Sequence, residues 1–310
     1  MKKTEFTLLQ AKEGYFLSLA ARKISPHTIS DYANTINKLM IFLGEDTPIQ
    51  SITKHEIEEF FSEQDEISKK TLLNYHTGLS AMWHWAVDEK LVDKNIIRDI
   101  RPPKPETREI IPFTQAEIKL LLSSLERSKA YKRAGKTTSD HSIPNSDRNR
   151  AIILTLLDTG VRASELCDMK IKELDMRNRR IKVMGKGAKE RIVQFSPRTG
   201  QAIWRYLASR PDARPNEPLF TTQEGRALDR NSLRHMLDNL GERALVKNTH
   251  PHRFRHTFAC EFLRNKGNPY VLQALLGHST LDMVRRYIHI VQADLEDAHN
   301  LASPVHNWAL

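Results

Sequence analysis

Apolar residues in the first hundred positions recur every three or four residues, which is the period of an α-helix. The clearest apolar face consists of Ile29, Tyr32, Ile36, Leu39 and Leu43. It follows Ser25 and Pro26, which suit the N-cap and first helical positions, and it precedes Gly44, which suits a helix end. The pattern therefore predicts one amphipathic helix between Ser25 and Gly44.

Three further helices complete the predicted N-terminal unit. The same periodicity extends over residues 8–20 and 68–89, and Thr53 with Glu56 forms a capping box before another apolar stretch. The aromatic residues here stand at helical spacing, which favours a place in the core over a base-stacking surface. They are Phe60, Phe61, Trp83 and Trp85. Residues 1–100 are thus predicted to form a four-helix domain.

Prolines and polar residues divide the rest of the chain. Residues 101–112 hold four prolines and no periodicity, so they predict a semi-extended linker. The second domain is then expected to cover 113–310. Within it, the polar stretch 128–149 predicts a surface loop, and Asp147 predicts the cap of a helix over 150–159.

The pattern of the second domain changes once from helical to extended. Two alternating apolar stretches flank the sequence GKGAK, namely Ile181 and Val183 before it and Ile192, Val193 and Phe195 after it. They predict a β-hairpin with a glycine-rich turn. Helical patterns resume at Thr199 and continue almost to the end, with a short strand predicted at 218–220. The predicted fold class is mainly α with a small β-sheet.

Charge is distributed unevenly between the two predicted domains. The 310-residue chain holds 48 Lys and Arg against 38 Asp and Glu, a formal net charge of +10. Residues 1–100 carry a net charge of −3, and residues 101–310 carry +13. Lysine and arginine that neutralise phosphates release counterions, which favours binding, so the second domain is expected to bind a polyanion. A basic surface without such a partner remains an open alternative.

The composition excludes two other classes of protein. No stretch approaches the roughly 18 consecutive apolar residues that a membrane helix needs. Glu5 precedes any apolar run that could form a signal peptide. Two cysteines, Cys167 and Cys260, cannot make a disulfide framework, which favours a cytoplasmic protein with reduced thiols.

Six polar residues with useful chemistry stand at the ends of predicted segments. They are Arg162, Lys186, His252, Arg255, His278 and Tyr287. Arginine forks bind phosphate oxygens, histidines donate or shuttle protons, lysine protonates a leaving alkoxide, and tyrosine is a covalent nucleophile. Ionising a tyrosine at pH 7 costs about 4 kcal/mol, which clustered cations are expected largely to offset. The set predicts cleavage of a phosphodiester through a phosphotyrosine, without a metal or another cofactor.

Each of these residues also has an ordinary structural interpretation. Arg162 suits a helix terminus, and Tyr287 suits a half-buried core aromatic. The string HPHRFRH admits a metal site through His250, His252 and His256. Against this, the interleaved arginines would repel a cation, and no Cys, Asp or Glu stands near at ligand spacing.

Taken in order, five motifs of the second domain resemble the tyrosine recombinases, or phage integrases. They are TGVRASEL, GKGAKER, HPHRFRHTFA, LLGHS and a tyrosine nine residues after the histidine of LLGHS. The nearest resemblance is to Xer-type site-specific recombinases, and it runs through about residues 113–295. It implies a helical core-DNA-binding domain at 1–100 and a tyrosine-recombinase catalytic domain after the linker.

The resemblance also implies how the scissile phosphate would be held. Arg162, Arg255 and His278 would bind it and neutralise its charge. Glu165, three residues after Arg162, suits either a positioning partner for that arginine or a solvated helix carboxylate.

The remaining candidates would carry out proton transfer and nucleophilic attack. By the same resemblance, Lys186 would be the general acid on the leaving 5′-oxygen, and His252 would assist as base or hydrogen-bond donor. Tyr287 would attack and leave a 3′-phosphotyrosyl bond with a free 5′-hydroxyl. A covalent phosphotyrosine conserves the energy of the phosphodiester, so resealing needs no ATP.

The implied function is site-specific DNA recombination, in integration, excision or dimer resolution. The implied partners are double-stranded DNA with paired half-sites and a tetrameric synapse of this chain, or a second recombinase; no membrane is expected. A type IB-like topoisomerase shares the chemistry but relaxes DNA without pairing sites. A non-catalytic DNA-binding regulator with the same fold is the other alternative.

Two parts of the chain depart from the family pattern or stay open. Val284 and the pair Ile288-His289 stand where the family often has threonine or Thr-His around the nucleophile. The C-terminal segment 299–310 carries apolar residues that suit docking on a neighbouring protomer or packing on its own domain.

Overall fold

The computed structural model describes residues 5–105, 110–125, 145–185, 190–278 and 280–291, and the side chains of 289–291 are not described. The chain divides into two compact units, Met1–Arg108 and Glu109–Leu310. The division falls inside the predicted linker at 101–112. Within the described residues, no helix is both long and apolar enough to cross a membrane.

The described elements of the first unit are helices joined by loops. They are α1 Leu8–Ala21, α2 Pro26–Leu43, α3 Lys54–Ser62, α4 Lys69–Asp88 and a 3₁₀ turn at Ile96–Asp99. The predicted caps are present: the Ser25 side chain accepts from the Thr28 N–H, and Thr53 with Glu56 forms both bonds of a capping box. Local cap chemistry therefore sets the helix starts that the sequence predicted.

The core of the first unit holds the predicted aromatic residues. Phe60 and Trp83 are each 1% exposed. Phe61 and Trp85 pack against the same cluster at partial burial. Fully burying one such side chain contributes roughly 1.5–3 kcal/mol. These residues therefore belong to the helical core, as predicted, and do not form a base-stacking surface.

The second unit combines helices with a small antiparallel sheet. Its described helices are α5 Gln115–Ser123, α6 Ser146–Thr159, α7 Ala163–Cys167, α8 Pro197–Ala208, α9 Arg230–Ala244, α10 Pro251–Arg264, α11 Pro269–Leu276 and α12 Asp282–Val291. Its described strands are β1 Leu174–Asp175, β2 Arg180–Met184 and β3 Glu190–Gln194, in that spatial order. The predicted hairpin is β2–β3, in which Ile181 faces Val193.

The predicted start of α6 was wrong. The helix begins at Ser146, four residues before the predicted start at 150. Asn145 precedes it in the left-handed conformation and makes no side-chain cap, so Asp147 lies in the first turn and does not cap the helix. A carboxylate there still favours the helix dipole. Of the predicted loop 128–149, residues 128–144 lie outside the described residues.

Three other details of the sheet region differ from the sequence prediction. The strand predicted at 218–220 is wrong, because only an isolated bridge between Lys170 and Pro218 forms there. Strand β1 was missed, since two residues show no periodicity. Helix α8 begins at Pro197, two residues before Thr199, with Ser196 as its cap.

Two hydrophobic clusters stabilise the second unit. The larger one spans α5 to α10 and the sheet, with Phe113, Phe220 and Phe254 buried in it. The smaller one joins α10, α11 and α12, and it contains Tyr287. Both cysteines are buried and free. The smaller cluster thus places the tyrosine of α12 directly beneath the motifs of α10 and α11.

Candidate active site

Two left-handed glycines shape the backbone around the candidate residues. Gly160 ends α6 with φ +60°, and Gly277 ends α11 with φ +62°. A Cβ on Gly160 would also overlap side chains of α10 and α11. Glycine is therefore required both by the conformation and by the close packing. The two turns place Arg162 at the start of α7 and His278 just after α11.

Arg255 joins these two turns. Its side chain is buried in α10, where Nη1 donates to the Gly160 carbonyl at 2.7 Å and Nη2 donates to the Leu276 carbonyl at 2.7 Å. Nη2 also lies 2.8 Å from Nε2 of His278. Burial, together with the charge of Arg162, lowers the pKa of Arg255 to about 10, so the guanidinium stays charged at neutral pH. Arg255 is thus a fixed cation.

His278 is a neutral imidazole in this arrangement. A guanidinium only donates, so Nε2 of His278 accepts from Arg255 and the ring proton lies on Nδ1. Burial, followed by the charges of Arg255 and Arg162, lowers the pKa of His278 to about 4. Nδ1 is buried and finds no hydrogen-bond partner among the described residues. Such an unpaired buried donor costs roughly 1–3 kcal/mol, and unsatisfied groups of this kind occur at catalytic sites.

Arg162 is held by a buried carboxylate. Its Nη1 donates to Oε1 of Glu165 at 2.8 Å, and its backbone N–H donates to Oε2 at 2.7 Å. Its Nη2 donates to the Gly277 carbonyl at 3.1 Å. Of the two interpretations that the sequence left open for Glu165, the structure shows the partner of Arg162, because the carboxylate is only 2% exposed.

Arg191 is a second partner of that carboxylate, and sequence reasoning missed it. Its Nη1 and Nη2 donate to the two oxygens of Glu165 at 2.6 and 2.8 Å, and its Nε donates to the Leu275 carbonyl at 3.0 Å. Burial alone would raise the pKa of Glu165, but the hydrogen bonds from Arg191 and Arg162 lower it to about 2. Arg191 stands inside the motif GKGAKER, where nothing local distinguishes it from a surface arginine.

Tyr287 is almost completely buried in α12. It is 1% exposed, and its hydroxyl lies 2.9 Å from Nδ1 of His256. Its ring is nearly parallel to that of His278, with 6.5 Å between the centroids. Burial raises the pKa of Tyr287, and the nearby Arg255 lowers it only in part. The expectation that cations largely offset the ionisation cost is wrong for this structure, because desolvation outweighs them.

Of the last two candidates, the structure describes His252 but not Lys186. His252 is exposed on α10, three residues before Arg255, and its ring centroid lies 6.4 Å from that of His256. Partial loss of hydration, followed by the charges of Arg255 and Arg162, lowers the pKa of His252. Lys186 lies outside the described residues, although the strands on either side of its turn form the predicted hairpin.

Two histidines of HPHRFRH make hydrogen bonds within the second unit. His250 caps α10, where its Nδ1 accepts from the Arg253 N–H at 3.3 Å, and His256 faces Tyr287. In the described part of the chain, no group of three or more His, Cys, Asp or Glu side chains is placed to hold a metal ion.

Comparisons with known proteins agree with this fold. Residues 105–293 match the profile of the phage integrase family, and residues 13–93 match its N-terminal SAM-like domain. The first match covers more than half of the chain. The chain belongs to the phage integrase family, in which it is a tyrosine recombinase of the Xer type.

Individual relatives cover nearly the whole chain. The tyrosine recombinase XerC of Pelobacter propionicus is 27% identical over 289 residues, which are 91% of each chain. The Tn1549 transposon integrase, solved in complex with circular intermediate DNA, is 24% identical and has a TM-score of 0.72 over 94% of this chain and 99% of that one. XerH bound to a palindromic difH substrate is 23% identical, with a TM-score of 0.69 over 90% and 81%. These likenesses confirm the predicted fold class.

Proposed function

We propose that this recombinase cuts and rejoins DNA at a specific site, with Tyr287 as the nucleophile. One observation carries the assignment: Arg162, Arg255, His278 and Tyr287 come from four separate segments and meet at the turns after α6 and α11. Buried arginines are usually paired with carboxylates. Here Arg162 and Arg191 share the carboxylate of Glu165, and Arg255 hydrogen-bonds to no carboxylate among the described residues. The surplus positive charge suits a phosphate.

The two predicted arginines keep hydrogen-bonding capacity for that phosphate. A guanidinium has five N–H donors. Two donors of Arg162 bind Glu165 and the Gly277 carbonyl, and three contacts of Arg255 reach Gly160, Leu276 and His278. Donors left over on both side chains can bind phosphate oxygens with charge assistance. Because the protein holds both guanidinium groups in place beforehand, they need little reorganisation when charge develops in the transition state.

A groove with both basic and acidic residues adjoins this site. A cavity of about 1320 Å³ runs from His252 along α9. Arg230, Arg234 and Lys247 line it together with three carboxylates, of which Asp238 pairs with Arg234 at 3.7 Å. Lysine and arginine side chains of this kind bind the DNA backbone and fix its register without reading sequence. The groove supports a path for the strand that flanks the scissile phosphate.

The proposed reaction needs no external energy source. The oxygen of Tyr287 bonds to phosphorus while the bond from phosphorus to the 5′-oxygen breaks, and Lys186 gives the leaving oxygen its proton. His252 assists as base or donor. A 5′-hydroxyl from the partner strand then attacks the 3′-phosphotyrosyl bond and releases Tyr287. The roles of Lys186 and His252 rest on the family resemblance.

The assembly that performs strand exchange is also a proposal. We expect four copies of this chain, or copies of it with a second recombinase, on two paired sites in the cytoplasm. The palindromic substrate of XerH supports a target made of two inverted half-sites. The integrase bound to a circular intermediate supports integration or excision equally well.

The proposal is tested by trapping covalent complexes on native genomic DNA and sequencing the attached ends. We expect ends that fall in two inverted half-sites around a short spacer. Attachment at unrelated sequences, with relaxation of a plasmid that lacks the site, would favour the topoisomerase instead. The absence of any covalent complex would favour the DNA-binding regulator. The recovered site supplies the duplex for every test below.

Lys186→Ala is expected to slow cleavage of an ordinary duplex by about 10²–10⁴-fold, the usual contribution of a general acid. A duplex whose leaving 5′-oxygen is replaced by sulfur should restore most of the rate, because a thiolate leaves without a proton. The measurement is the rate of covalent complex formation on both duplexes. Equal losses on the oxygen and sulfur substrates would remove the general-acid role from Lys186.

A chelator is expected to leave cleavage unchanged. Arg162 and Arg255 supply the positive charge that a divalent cation would supply in a metal-dependent nuclease. Covalent complex formation is measured in excess EDTA and after the addition of Mg²⁺. A rate that collapses in EDTA and returns with Mg²⁺ would contradict the metal-free mechanism.

A further inference from the structure

The hydroxyl of Tyr287 is engaged by a histidine outside the six family-derived residues. In the described part of the chain its hydrogen-bond partner is Nδ1 of His256, at 2.9 Å. The two rings pack at 52° with 5.6 Å between centroids. His256 follows Arg255 directly on α10, so the helix that carries the phosphate-binding arginine also carries this contact.

We propose that His256 is the general base for Tyr287, an assignment that rests on the proposed role of Tyr287 as nucleophile. As the tyrosine oxygen bonds to phosphorus, its O–H bond breaks and the proton passes to Nδ1 of His256. The electron pair of the O–H bond stays on the oxygen that forms the new bond. On resealing, the protonated His256 returns the proton to the departing tyrosine oxygen.

The charge state of His256 suits this role. Burial, followed by the charges of His252, His250 and Arg255, lowers the pKa of His256 to about 4, so its ring is neutral at pH 7. The burial of Tyr287 keeps the phenol protonated in turn. With the single ring proton of His256 on Nε2, Nδ1 accepts the phenolic hydrogen bond. Nδ1 of the neutral His256 ring is therefore already hydrogen-bonded to the hydroxyl that must lose its proton.

Binding of the substrate phosphate would raise the pKa of His256. Burial is the main cause of the lowered pKa of His256, and the cation of Arg255, its neighbour in the chain, makes a smaller contribution. A phosphate bound to Arg255 offsets that charge, and a nearby anion favours the protonated imidazolium. Catalytic bases work best when their pKa approaches the working pH.

His252 and His256 lie one turn apart on α10 and differ in their exposure. His252 is exposed and lies one helical turn from His256, where a phosphate oxygen can reach it. His256 is half-buried against the phenol. The exposed ring is therefore placed to donate to the substrate, and the half-buried ring is placed to take the proton.

Two substitutions separate a base from a mere hydrogen-bond anchor. His256→Ala removes both functions, whereas His256→Asn keeps a polar group near the position of Nδ1 that cannot take up a proton. We expect both variants to bind the recovered duplex like the wild type and to form the covalent complex about 10²–10⁴-fold more slowly. An asparagine variant with the wild-type rate would overturn the proposal.

A more acidic nucleophile supplies the decisive readout. A fluorinated tyrosine incorporated at position 287 ionises more readily, so it depends less on a base. We expect it to restore most of the rate in His256→Asn. The matched control is His252→Asn, the same substitution one turn away, in which fluorination should restore little. Equal responses in the two variants, or no restoration in His256→Asn, would overturn the proposal.

The experiments distinguish a failure of the proposed function from a failure of the role assigned to His256. If Tyr287→Phe still forms the covalent complex, the nucleophile is another residue and both proposals fall. If Tyr287→Phe is inert while His256→Asn cleaves normally, Tyr287 stays the nucleophile and only the base is lost. Circular dichroism and DNA binding of each variant establish that a slow rate reflects chemistry and not unfolding.

Discussion

Tyr287→Phe is expected to bind the target duplex normally and to form no SDS-resistant covalent complex with it. The substitution removes one oxygen and keeps the ring, which is 1% exposed and stacks beside His278. Its structural cost is the lost hydrogen bond to Nδ1 of His256, a group that is only half-buried and can turn to water. Binding is measured by gel shift and covalent attachment by denaturing electrophoresis on a nicked duplex that prevents resealing.

The chain offers a matched control for this experiment. Tyr270 in α11 is 68% exposed and makes no contact with the site residues in the described part of the chain. Tyr270→Phe should therefore keep the full yield of covalent complex. A covalent complex that persists in Tyr287→Phe and disappears in Tyr270→Phe would reverse the assignment. Persistence in both variants would place the nucleophile elsewhere.

The helices of the first unit were predictable because their determinants are local. The Ser25 cap with Pro26 and the Thr53–Glu56 box act within four residues, so the sequence displays them directly. The start of α6 failed for the opposite reason. Asn145 precedes that helix in a left-handed conformation and makes no side-chain cap, so the helix start lacks the local cap signal that marks the others.

The site was predictable only as a set of residue types in order. Motif spacing marked Arg162, Arg255, His278 and Tyr287, and the fold brings them together through two glycine turns. Nothing in the spacing shows that a tyrosine will be buried, so the direction of its pKa shift was missed. Arg191 reaches Glu165 only because the fold brings β3 beside α11 and the neighbouring strand β2 beside α7, which no local sequence pattern predicts.

Glu165→Gln is expected to lower the free energy of unfolding by about 3–5 kcal/mol, the usual cost of breaking a buried ion pair from one side. The carboxylate is 2% exposed and accepts from Arg162 and from both Nη atoms of Arg191. Glutamine keeps one acceptor but turns an N–H toward a guanidinium that can only donate. The same loss frees Arg162 from its fixed orientation, so covalent cleavage should fall in parallel.

The pH dependence of that loss identifies its cause. The pKa of Glu165 is lowered from 4.5 to about 2, so the folded state favours its ionised form by about 3 kcal/mol. This stability is fully present above the unfolded pKa and disappears as the pH falls through about 2. Urea unfolding of wild type and Glu165→Gln should therefore differ most near pH 7, and the difference should narrow from pH 4.5 downward.

An exposed pair on α10 provides the control for Glu165→Gln. Glu261 binds Arg264 at 2.6 Å, but its side chain is 49% exposed, so Glu261→Gln should cost less than about 1 kcal/mol. Two ion pairs of similar length thus predict very different losses, because water competes for only one of them. Similar losses in the two variants, or a Glu165→Gln difference that persists undiminished at low pH, would show that the buried charge does not hold Arg162 in place.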